Sequence, residues 1–259
     1  MKLATNQFKR SILEGRVQIG LWSSLGSATA SEVLADSGFD WILVDTEHAP
    51  NDVQDVLGQL RALRGGSASA VVRPAWNDVV LIKRLLDVGA RSLLVPFVQD
   101  ADQARQAVAA MRYPPRGVRG VGLTTRANRY GRVDSYFTAA EDELCLLVQL
   151  ESRTALGQLE AIAAVDGVDG IFIGPSDLSA DMGHLGDSGH FEVQEAIMDA
   201  LRRCQHLGKP AGILTAVEGE SQRYLRAGFT FVAVGSDIGL LRRASEQLRG
   251  RFREMNDDG

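Results

Sequence analysis

Groups that bind metals and move protons stand directly after short apolar segments of this sequence. Segment 41–44 is apolar and leads into Asp45, Glu47 and His48. The same arrangement, a polar group immediately after an apolar segment, recurs at Arg73, Gln149, Glu151, Ser176 and Asp177. If these segments are parallel strands of one sheet, their polar ends meet at one edge, which predicts a single site for an enzyme.

Two carboxylates on successive apolar segments, Glu151 and Asp177, predict a divalent-cation site. Carboxylates held close together repel each other and raise each other's pKa, and a cation relieves that repulsion. Oxygen ligands suit Mg²⁺ or Mn²⁺. The ordinary alternatives are that Glu151 is a solvated residue at a helix N-terminus and that Asp177 caps a helix beginning at the sequence DLSA.

Arg73 and His48 are the candidate catalytic side chains. An arginine inside an apolar segment needs an anionic partner, either a structural carboxylate such as Asp45 or the carboxylate of a substrate, which a guanidinium holds with two hydrogen bonds. His48 is either an exposed loop residue or a general base near neutral pH. His184, His190 and His206 are incidental in this interpretation, although His184 and His190 could line a substrate loop.

The four lysines argue against covalent imine chemistry. A Schiff-base enzyme built on a barrel needs a lysine on an inner strand. Lys83 falls in a helical pattern, and Lys209 precedes a strand, at the wrong end. The sequence therefore favours a metal ion as the group that withdraws electrons.

The elements that position these groups alternate along the chain about eight times. Apolar segments, nearly continuous in Val, Ile and Leu, are typical of strands buried on both faces of a parallel sheet. They cover residues 17–22, 41–45, 69–74, 92–97, 145–151, 170–175, 211–216 and 231–235. The rhythm predicts a (β/α)8 TIM barrel. An open doubly wound sheet is the alternative, disfavoured because no G-x-G-x-x-G turn follows the first strand.

One domain is expected over residues 1–259, because no linker divides the chain. The amphipathic segments between strands predict helices, including one that begins at Asn51 or Asp52, one that ends at Gly38, and a single helix after Glu151. The connection at about 99–143 is unusually long and rich in Gly, Pro and Arg, which is typical of a functional loop. A C-terminal helix is expected at about 237–255.

Composition excludes several classes of protein. The net charge is −5 without charge runs, so neither a nucleic acid nor a membrane surface is expected as a partner. The N-terminus lacks a signal peptide's apolar core, and no segment is long enough to span a membrane. Cys145 and Cys204 lie in apolar patterns and are expected to be buried free thiols, which fits a cytoplasmic protein.

Eight segments resemble the HpcH/HpaI family of class II, metal-dependent pyruvate aldolases along almost the whole chain. They are GLWSSL, GFDWILVDTEHAPND, VVRPAWND, IKRLLDVGARSLLVPFVQ, RYPPRGVRGVG, VQLES, VDGIFIGPSDLSADMGH and FVAVGSD. The resemblance implies a TIM barrel whose C-terminal helix is swapped between subunits, in a hexamer built as a trimer of dimers.

The resemblance also implies roles for individual residues. Glu151 and Asp177 match the metal ligands, and Arg73 matches the arginine that holds the pyruvate carboxylate and the enolate oxygen. His48 is similar to the catalytic base, with Asp87 of an adjacent subunit as its partner. Asp45 and Glu47 match supporting positions around the site. The remaining pyruvate-binding groups are expected at Gln149, Gly174, Pro175, Ser176 and Leu214.

The implied reaction is the cleavage or formation of 4-hydroxy-2-oxo acids, with pyruvate and an aldehyde as the other partners and Mg²⁺, Mn²⁺ or Co²⁺ as cofactor. The preferred substrate is 4-hydroxy-2-oxoheptanedioate, which gives pyruvate and succinic semialdehyde. The alternatives are a 2-keto-3-deoxy sugar acid such as the rhamnonate or glucarate, an acyl-CoA lyase, and a non-enzymatic 2-oxo acid binder. Sequence variation within the family around GLTTRANRYG and after ADMGH is where the aldehyde is expected to be selected.

Overall fold

Eight parallel strands form a closed barrel in a computed structural model that describes the backbone of residues 1–257 and the side chains of residues 1–253. Each strand pairs with the next one in the chain, and the last pairs with the first. The strands are β1 Gln18–Ser23, β2 Trp41–Asp45, β3 Ser69–Arg73, β4 Ser92–Val95, β5 Cys145–Leu150, β6 Gly170–Ile173, β7 Ala211–Leu214 and β8 Phe231–Ser236. The barrel prediction is confirmed, and the open doubly wound sheet is wrong.

Helices connect the strands. They are α1 Gln7–Leu13, α2 Ala28–Ala35, α3 Val53–Ala62, α4 Val79–Asp87, α5 Ala101–Met111, α6 Tyr136–Ala139, α7 Arg153–Gly157, α8 Leu159–Ala163, α9 Pro175–Asp181, α10 Phe191–His206, α11 Glu218–Ala227 and α12 Asp237–Asp257. Short 3-10 helices occupy Leu63–Gly65 and Glu141–Glu143.

Local capping chemistry explains where several helices begin and end. Asp52 caps α3, and its carboxylate accepts hydrogen bonds from the backbone N–H groups of Gln54 and Asp55. The single helix expected after Glu151 is wrong: α7 and α8 are separate because Gln158 leaves the helical conformation, with φ −108°. Gly38 was expected to end α2, but that helix stops earlier and Asp36 is its C-cap.

The strand residues alternate between two apolar layers because successive side chains of a strand point to opposite faces. One layer lies between the barrel and its helices. The other fills the barrel interior and includes Trp41 and Leu43 of β2, Val71 of β3, and Cys145 and Leu147 of β5. Because all of these positions have odd numbers, the next odd positions of the same strands also point inward.

Helix α1 closes the N-terminal end of the barrel. Phe8 is fully buried, and its ring lies 5.6 Å from that of Trp41 and 5.8 Å from that of Phe231. Gly20 of β1 leaves space for the Trp41 indole, with which any Cβ at that position would collide. Aromatic rings therefore fill the N-terminal part of the barrel interior.

The part of the long β4–β5 connection that follows α5 lies at the N-terminal end of the barrel. Arg126 donates hydrogen bonds to the carbonyl oxygens of Val88 and Leu60, at 2.8 and 3.2 Å, and the N–H of Ala127 donates to the carbonyl of Asp87. These partners lie at the ends of α3 and α4, where both helices return to the start of the next strand. In one chain, the GLTTRANRYG segment is therefore remote from the C-terminal strand ends.

Three further features concern the cysteines, the C-terminal helix and membrane spans. Cys145 and Cys204 are buried free thiols, as expected. Helix α12 is in contact mainly with β1 and β8, and it exposes the apolar side chains of Leu241, Leu248 and Phe252. No helix in the described part of the chain is long and apolar enough to cross a membrane.

Candidate active site

The inward-pointing set of strand residues ends in polar groups at the C-terminal mouth of the barrel. Asp45 follows Leu43 on β2, Arg73 follows Val71 on β3, and Gln149 follows Leu147 on β5. All three are buried. Because inward-pointing residues recur every second position, the apolar residues of the interior are followed directly by polar residues at the mouth, as the sequence predicted.

Arg73 is held by two carboxylates. Its Nε and Nη2 donate to the two oxygens of Asp45 at 2.8 and 2.7 Å, and its Nη1 lies 2.7 Å from Oε2 of Glu47. The pairing register supports this contact, because Asp45 and Arg73 lie side by side on adjacent strands. Within the chain, Arg73 therefore has Asp45 as a structural partner.

The charges of this group are mutually dependent. Burial opposes ionisation of Asp45, but the hydrogen bonds and charge of Arg73 outweigh it, so the pKa of Asp45 is lowered. Burial also opposes the charge on Arg73, yet Asp45 and Glu47 raise its pKa. Burial raises the pKa of Glu47, against the opposing charge of Arg73. The Arg73–Asp45 pair consequently stays charged, which fixes the guanidinium at the mouth.

Glu151 is the most deeply buried carboxylate at the mouth besides Asp45, with 2% of its surface exposed. Its Oε1 accepts a hydrogen bond of 2.8 Å from the N–H of Phe97, and its Oε2 accepts one from the side-chain amide of Gln149. Burial raises the pKa of Glu151 to about 7, and the nearby charges of Asp177 and Glu47 add to that effect. The solvated-residue alternative is wrong, because Ser152 caps α7 instead.

Asp177 approaches Glu151 from the next strand. The register of β5 with β6 pairs Leu150 with Ile173, which sets Gly174 beside Glu151. A Cβ at Gly174 would lie 2.8 Å from the Cβ of Glu151, so only glycine leaves room for this carboxylate. Helix α9 begins at Pro175, and Asp177 is in its first turn and exposed. The prediction that Asp177 caps a helix is wrong, because Gly174 is the N-cap.

The mouth carries more negative than positive charge. Among the described residues there, Asp45, Glu47, Glu151 and Asp177 are carboxylates, and the buried cation Arg73 is already paired with the first two. Burial is the main cause of the raised pKa of Glu151, and the charges of Asp177 and Glu47 raise it further. An oxygen-donor set with this charge suits a divalent cation such as Mg²⁺ or Mn²⁺.

The other predicted site residues differ in how close they come to this group. His48 lies beside it, with its Nε2 4.0 Å from Oε2 of Glu47 and 66% of its side chain exposed. Leu214, at the C-terminal end of β7, is half-buried above the interior layer. Pro175 and Ser176 occupy the first turn of α9, next to Asp177.

Asp87 is not brought to the mouth of its own chain. It is the last residue of α4, at the opposite end of the barrel, and its Oδ1 accepts a hydrogen bond of 2.9 Å from Nη2 of Arg119. Arg119 is fully buried against Tyr113, with its guanidinium carbon 4.6 Å from the ring centre. Within one subunit, His48 and Asp87 therefore do not meet.

Two residues that support the site were not predicted. The guanidinium carbon of Arg73 lies 5.2 Å from the ring centre of Trp22, which is buried in the barrel interior. Phe97 adopts a left-handed backbone conformation, φ 52°, at the residue that donates its N–H to Glu151. The inward alternation of β1 would have indicated Trp22, whereas no sequence signal marks Phe97.

Comparison with known proteins decides the family. The family model described as HpcH/HpaI aldolase/citrate lyase matches residues 18–244. The chain belongs to this family. Membership confirms the resemblance stated above, the class of enzyme, a carbon–carbon lyase, and the link to aldolase chemistry.

Members of the HpcH/HpaI family resemble the chain over nearly its full length. It is 57% identical to a pyruvate aldolase of Rhizobium etli, over 97% of this chain and 99% of that protein. It is 54% identical to the 4-hydroxy-2-oxo-heptane-1,7-dioate aldolase of Escherichia coli, over 95% of both chains. The crystal structure of a family protein from Burkholderia cenocepacia J2315 superposes with a TM-score of 0.94 at 38% identity, covering 96% of this chain and all of that one.

Proposed function

We propose that this protein is a divalent-metal-dependent aldolase that cleaves 4-hydroxy-2-oxo acids to pyruvate and an aldehyde, or joins them in reverse. The observation that carries the proposal is the arrangement of Arg73, held by two carboxylates, beside Glu151 and Asp177 on neighbouring strand ends. It combines a fixed positive group, which can bind a 2-oxo acid, with an uncompensated pair of metal-type ligands.

Glu151 and Asp177 would hold the cation. When bound, a divalent cation supplies Lewis acidity that polarises the keto group of a 2-oxo acid. Two features of the chain support this assignment. Gly174 leaves the space that the Glu151 side chain occupies, and the N–H of Phe97 orients the Glu151 carboxylate. The side-chain amide oxygen Oε1 of Gln149 is buried without a partner, so it can accept a hydrogen bond from a ligand.

Arg73 would bind the substrate carboxylate and stabilise the enolate of pyruvate. A guanidinium has five N–H donors. Two of those of Arg73 donate to Asp45, and its Nη1 forms an ion pair with Glu47. The remaining donors are held still by a buried ion pair. Donors that are already oriented stabilise developing negative charge without further reorganisation.

His48 would move the proton. In cleavage, it accepts the proton of the C4 hydroxyl as the C3–C4 bond breaks, the aldehyde leaves and the electron pair remains on the pyruvate enolate. Its exposure leaves it accessible to substrate, and Glu47 is near enough to orient the ring. The partner subunit's Asp87 would complete the pair, since Asp87 lies remote from His48 in its own chain.

The substrate we propose is 4-hydroxy-2-oxoheptanedioate, with succinic semialdehyde as the aldehyde product, because relatives that carry this activity in their names align over nearly the whole chain. An acyl-CoA lyase is disfavoured because the relatives that align over nearly the whole chain are named as aldolases.

A substrate panel tests the proposal. Purified protein with Mg²⁺ or Mn²⁺ should release pyruvate from 4-hydroxy-2-oxoheptanedioate faster than from 2-keto-3-deoxy rhamnonate or glucarate. EDTA should stop release, and added Mg²⁺, Mn²⁺ or Co²⁺ should restore it. Borohydride with pyruvate should leave no covalent adduct. Activity that survives EDTA, or an adduct on a lysine, would refute the metal-dependent mechanism.

We further propose that α12 packs against a neighbouring subunit and that six subunits assemble as a trimer of dimers. The exposed apolar residues of α12, including Leu248 and Phe252, have no cover in the single chain. Light scattering should give a hexamer for the wild type. Leu248→Asp should shift it to smaller species, whereas the matched exposed-face change Arg249→Asp should not. A monomeric wild type would contradict the assembly.

A further inference from the structure

A second group of metal-type ligands lies outside the carboxylate site. One ring nitrogen each of His184 and His190 and one carboxylate oxygen of Glu192 lie within 4.8 Å of one another. The Nε2 of His184 is 2.9 Å from Oε2 of Glu192, and the two imidazole rings stack at 3.5 Å with 16° between their planes. Among the described residues, it is the one group of at least three His, Cys, Asp or Glu side chains whose ligand atoms lie this close together.

We propose that His184, His190 and Glu192 form a second metal site, which takes a transition-metal dication such as Zn²⁺, Ni²⁺ or Co²⁺. Two imidazoles with one carboxylate are a donor set for these ions, whereas the oxygen-only pair of Glu151 and Asp177 suits Mg²⁺ or Mn²⁺. The two sites thus differ in the chemical class of ion that each prefers.

The stacking of the histidines supports the proposal. The two rings lie face to face at 3.5 Å, which brings one nitrogen of each imidazole close to the Glu192 carboxylate. Imidazole nitrogens are the commonest metal ligands in proteins.

A small rearrangement would complete the coordination. Donor atoms about 2.0 to 2.1 Å from a tetrahedral zinc ion lie roughly 3.3 to 3.4 Å apart, so the widest separation here must shrink and the rings must tilt out of their parallel stack. The Glu192 side chain is half exposed and can move. Both histidines are only partly buried, so a metal ion can reach the site from solvent.

The site spans a single connection of the barrel. His184 lies in the loop after α9, and His190 and Glu192 lie at the beginning of α10, where the His190 side chain accepts a long hydrogen bond from the N–H of Glu192. A bound metal would tie the loop to α10. Because α9 also carries Asp177, the loop borders the mouth of the barrel. The competing explanation is that the three residues only form an ion pair and cap α10.

Calorimetric titration with Zn²⁺ separates the two explanations. The titration uses the full, tag-free chain in saturating Mg²⁺, which fills the carboxylate site of the proposed function. The wild type should bind one additional Zn²⁺ per chain. His184→Ala and His190→Ala should each weaken that affinity at least about tenfold, whereas His206→Ala, at the far end of α10, should not.

Cobalt gives an independent readout. With Mg²⁺ present, Co²⁺ should produce visible absorption typical of nitrogen-containing, low-coordinate cobalt in the wild type and in His206→Ala, and not in His184→Ala. The proposal is overturned if the wild type takes up no additional Zn²⁺, or if His184→Ala and His206→Ala bind it equally. If the carboxylate pair fails to hold Mg²⁺, Zn²⁺ would enter there too. The histidine variants would still bind one equivalent less than the wild type, so the two proposals fail separately.

Discussion

The two ends of the barrel carry opposite charge and differ in how rigidly that charge is fixed. At the C-terminal mouth, buried carboxylates of β2 and β5 surround Arg73. At the N-terminal end, a cavity of about 620 Å³ is lined by six arginines with one glutamate nearby. The arginines are Arg61, Arg64, Arg91, Arg126, Arg129 and Arg132.

Like charges act on each other at both ends, with different consequences. At the mouth, burial and neighbouring carboxylates raise the pKa of Glu151 to about 7. At the base, burial and then the charges of Arg64, Arg61 and Arg129 lower the pKa of Arg126. Four of the six arginines at the base are exposed, so water and salt screen them, whereas Asp45 and Glu151 at the mouth are buried. The difference shows that neighbouring charges shift a pKa most where β-strands hold the charged groups away from water.

The largest effect should follow from removing the fixed cation at the mouth. Arg73→Ala should lower the rate of pyruvate release by about 10²- to 10³-fold or more, the typical cost of losing one oriented donor to a developing oxyanion. Arg73→Lys should restore little of the lost rate, because an ammonium group cannot form both hydrogen bonds that the guanidinium donates to Asp45. Steady-state kinetics measures both variants.

The control for Arg73 comes from the other end of the barrel. Arg61→Ala removes the same side chain from the basic cavity and should leave the rate within about twofold of the wild type, because exposed charges contribute little. Circular dichroism establishes that the variants are folded. Equal losses in Arg73→Ala and Arg61→Ala would remove the distinction between the two ends.

A smaller but specific effect should follow from filling the space beside Glu151. Gly174→Ala adds a Cβ that meets the Cβ of Glu151 at 2.8 Å and must displace it. Affinity for Mn²⁺ should fall by about ten- to a hundredfold, as is usual when a supporting contact of a metal ligand is lost. Calorimetric titration measures it. Gly157→Ala, on α7 with open space around it, is the matched control and should bind as the wild type does.

The raised pKa of Glu151 determines whether stability rises or falls with pH. Its pKa is raised from 4.5 to about 7 in the folded chain, so the metal-free folded state binds a proton more tightly than the unfolded state does. Stability without metal should therefore fall as pH rises from about 4.5 through 7, by a few kcal/mol, since one pKa unit corresponds to about 1.4 kcal/mol.

Metal binding should show the opposite trend. Because a cation competes with the proton on Glu151, affinity for Mn²⁺ should rise with pH up to about 7, by up to about tenfold per unit. Urea unfolding in EDTA and calorimetry with Mn²⁺ give the two curves. Glu151→Gln should flatten the stability curve, and an unchanged slope would assign the titration to another group.

The smallest effect should appear at the base. Arg64→Gln removes one of the charges that lower the pKa of Arg126, so it should raise the free energy of unfolding by a few tenths of a kcal/mol at low salt. Added salt should remove that gain because it screens the repulsion. Destabilisation by Arg64→Gln at low salt would show that the arginines at the base are compensated by contacts within the cavity.

The barrel could be predicted from the sequence because each of its strands is recognisable from its own short apolar segment. All eight apolar segments became strands, with ends within about two residues of those expected, since burial on both faces demands continuous apolar residues. The boundaries of helices were less predictable. The split between α7 and α8 and the early end of α2 depend on single backbone conformations that the apolar period does not report.

The site was predicted more completely for its strand residues than for its loops. The two-residue period makes Asp45, Arg73, Gln149 and Glu151 face inward once the strand is known. No such period applies to the long connection between β4 and β5, so its placement at the base could not be foreseen. The convergence of His184, His190 and Glu192 could not be predicted either, because no regular period fixes the direction of side chains in a loop.

The sequence by itself determined which residue types end each strand, and therefore that carboxylates, an imidazole and a guanidinium would stand at one rim of a barrel. Only the tertiary structure decided how those charges are shared. It paired Asp45 and Glu47 with Arg73, raised the pKa of Glu151 to about 7, and placed Asp87 at the opposite end of the barrel in its own chain. The physical reason is that a strand's period fixes the direction of a side chain, whereas ionisation depends on burial and on neighbours that only packing brings together.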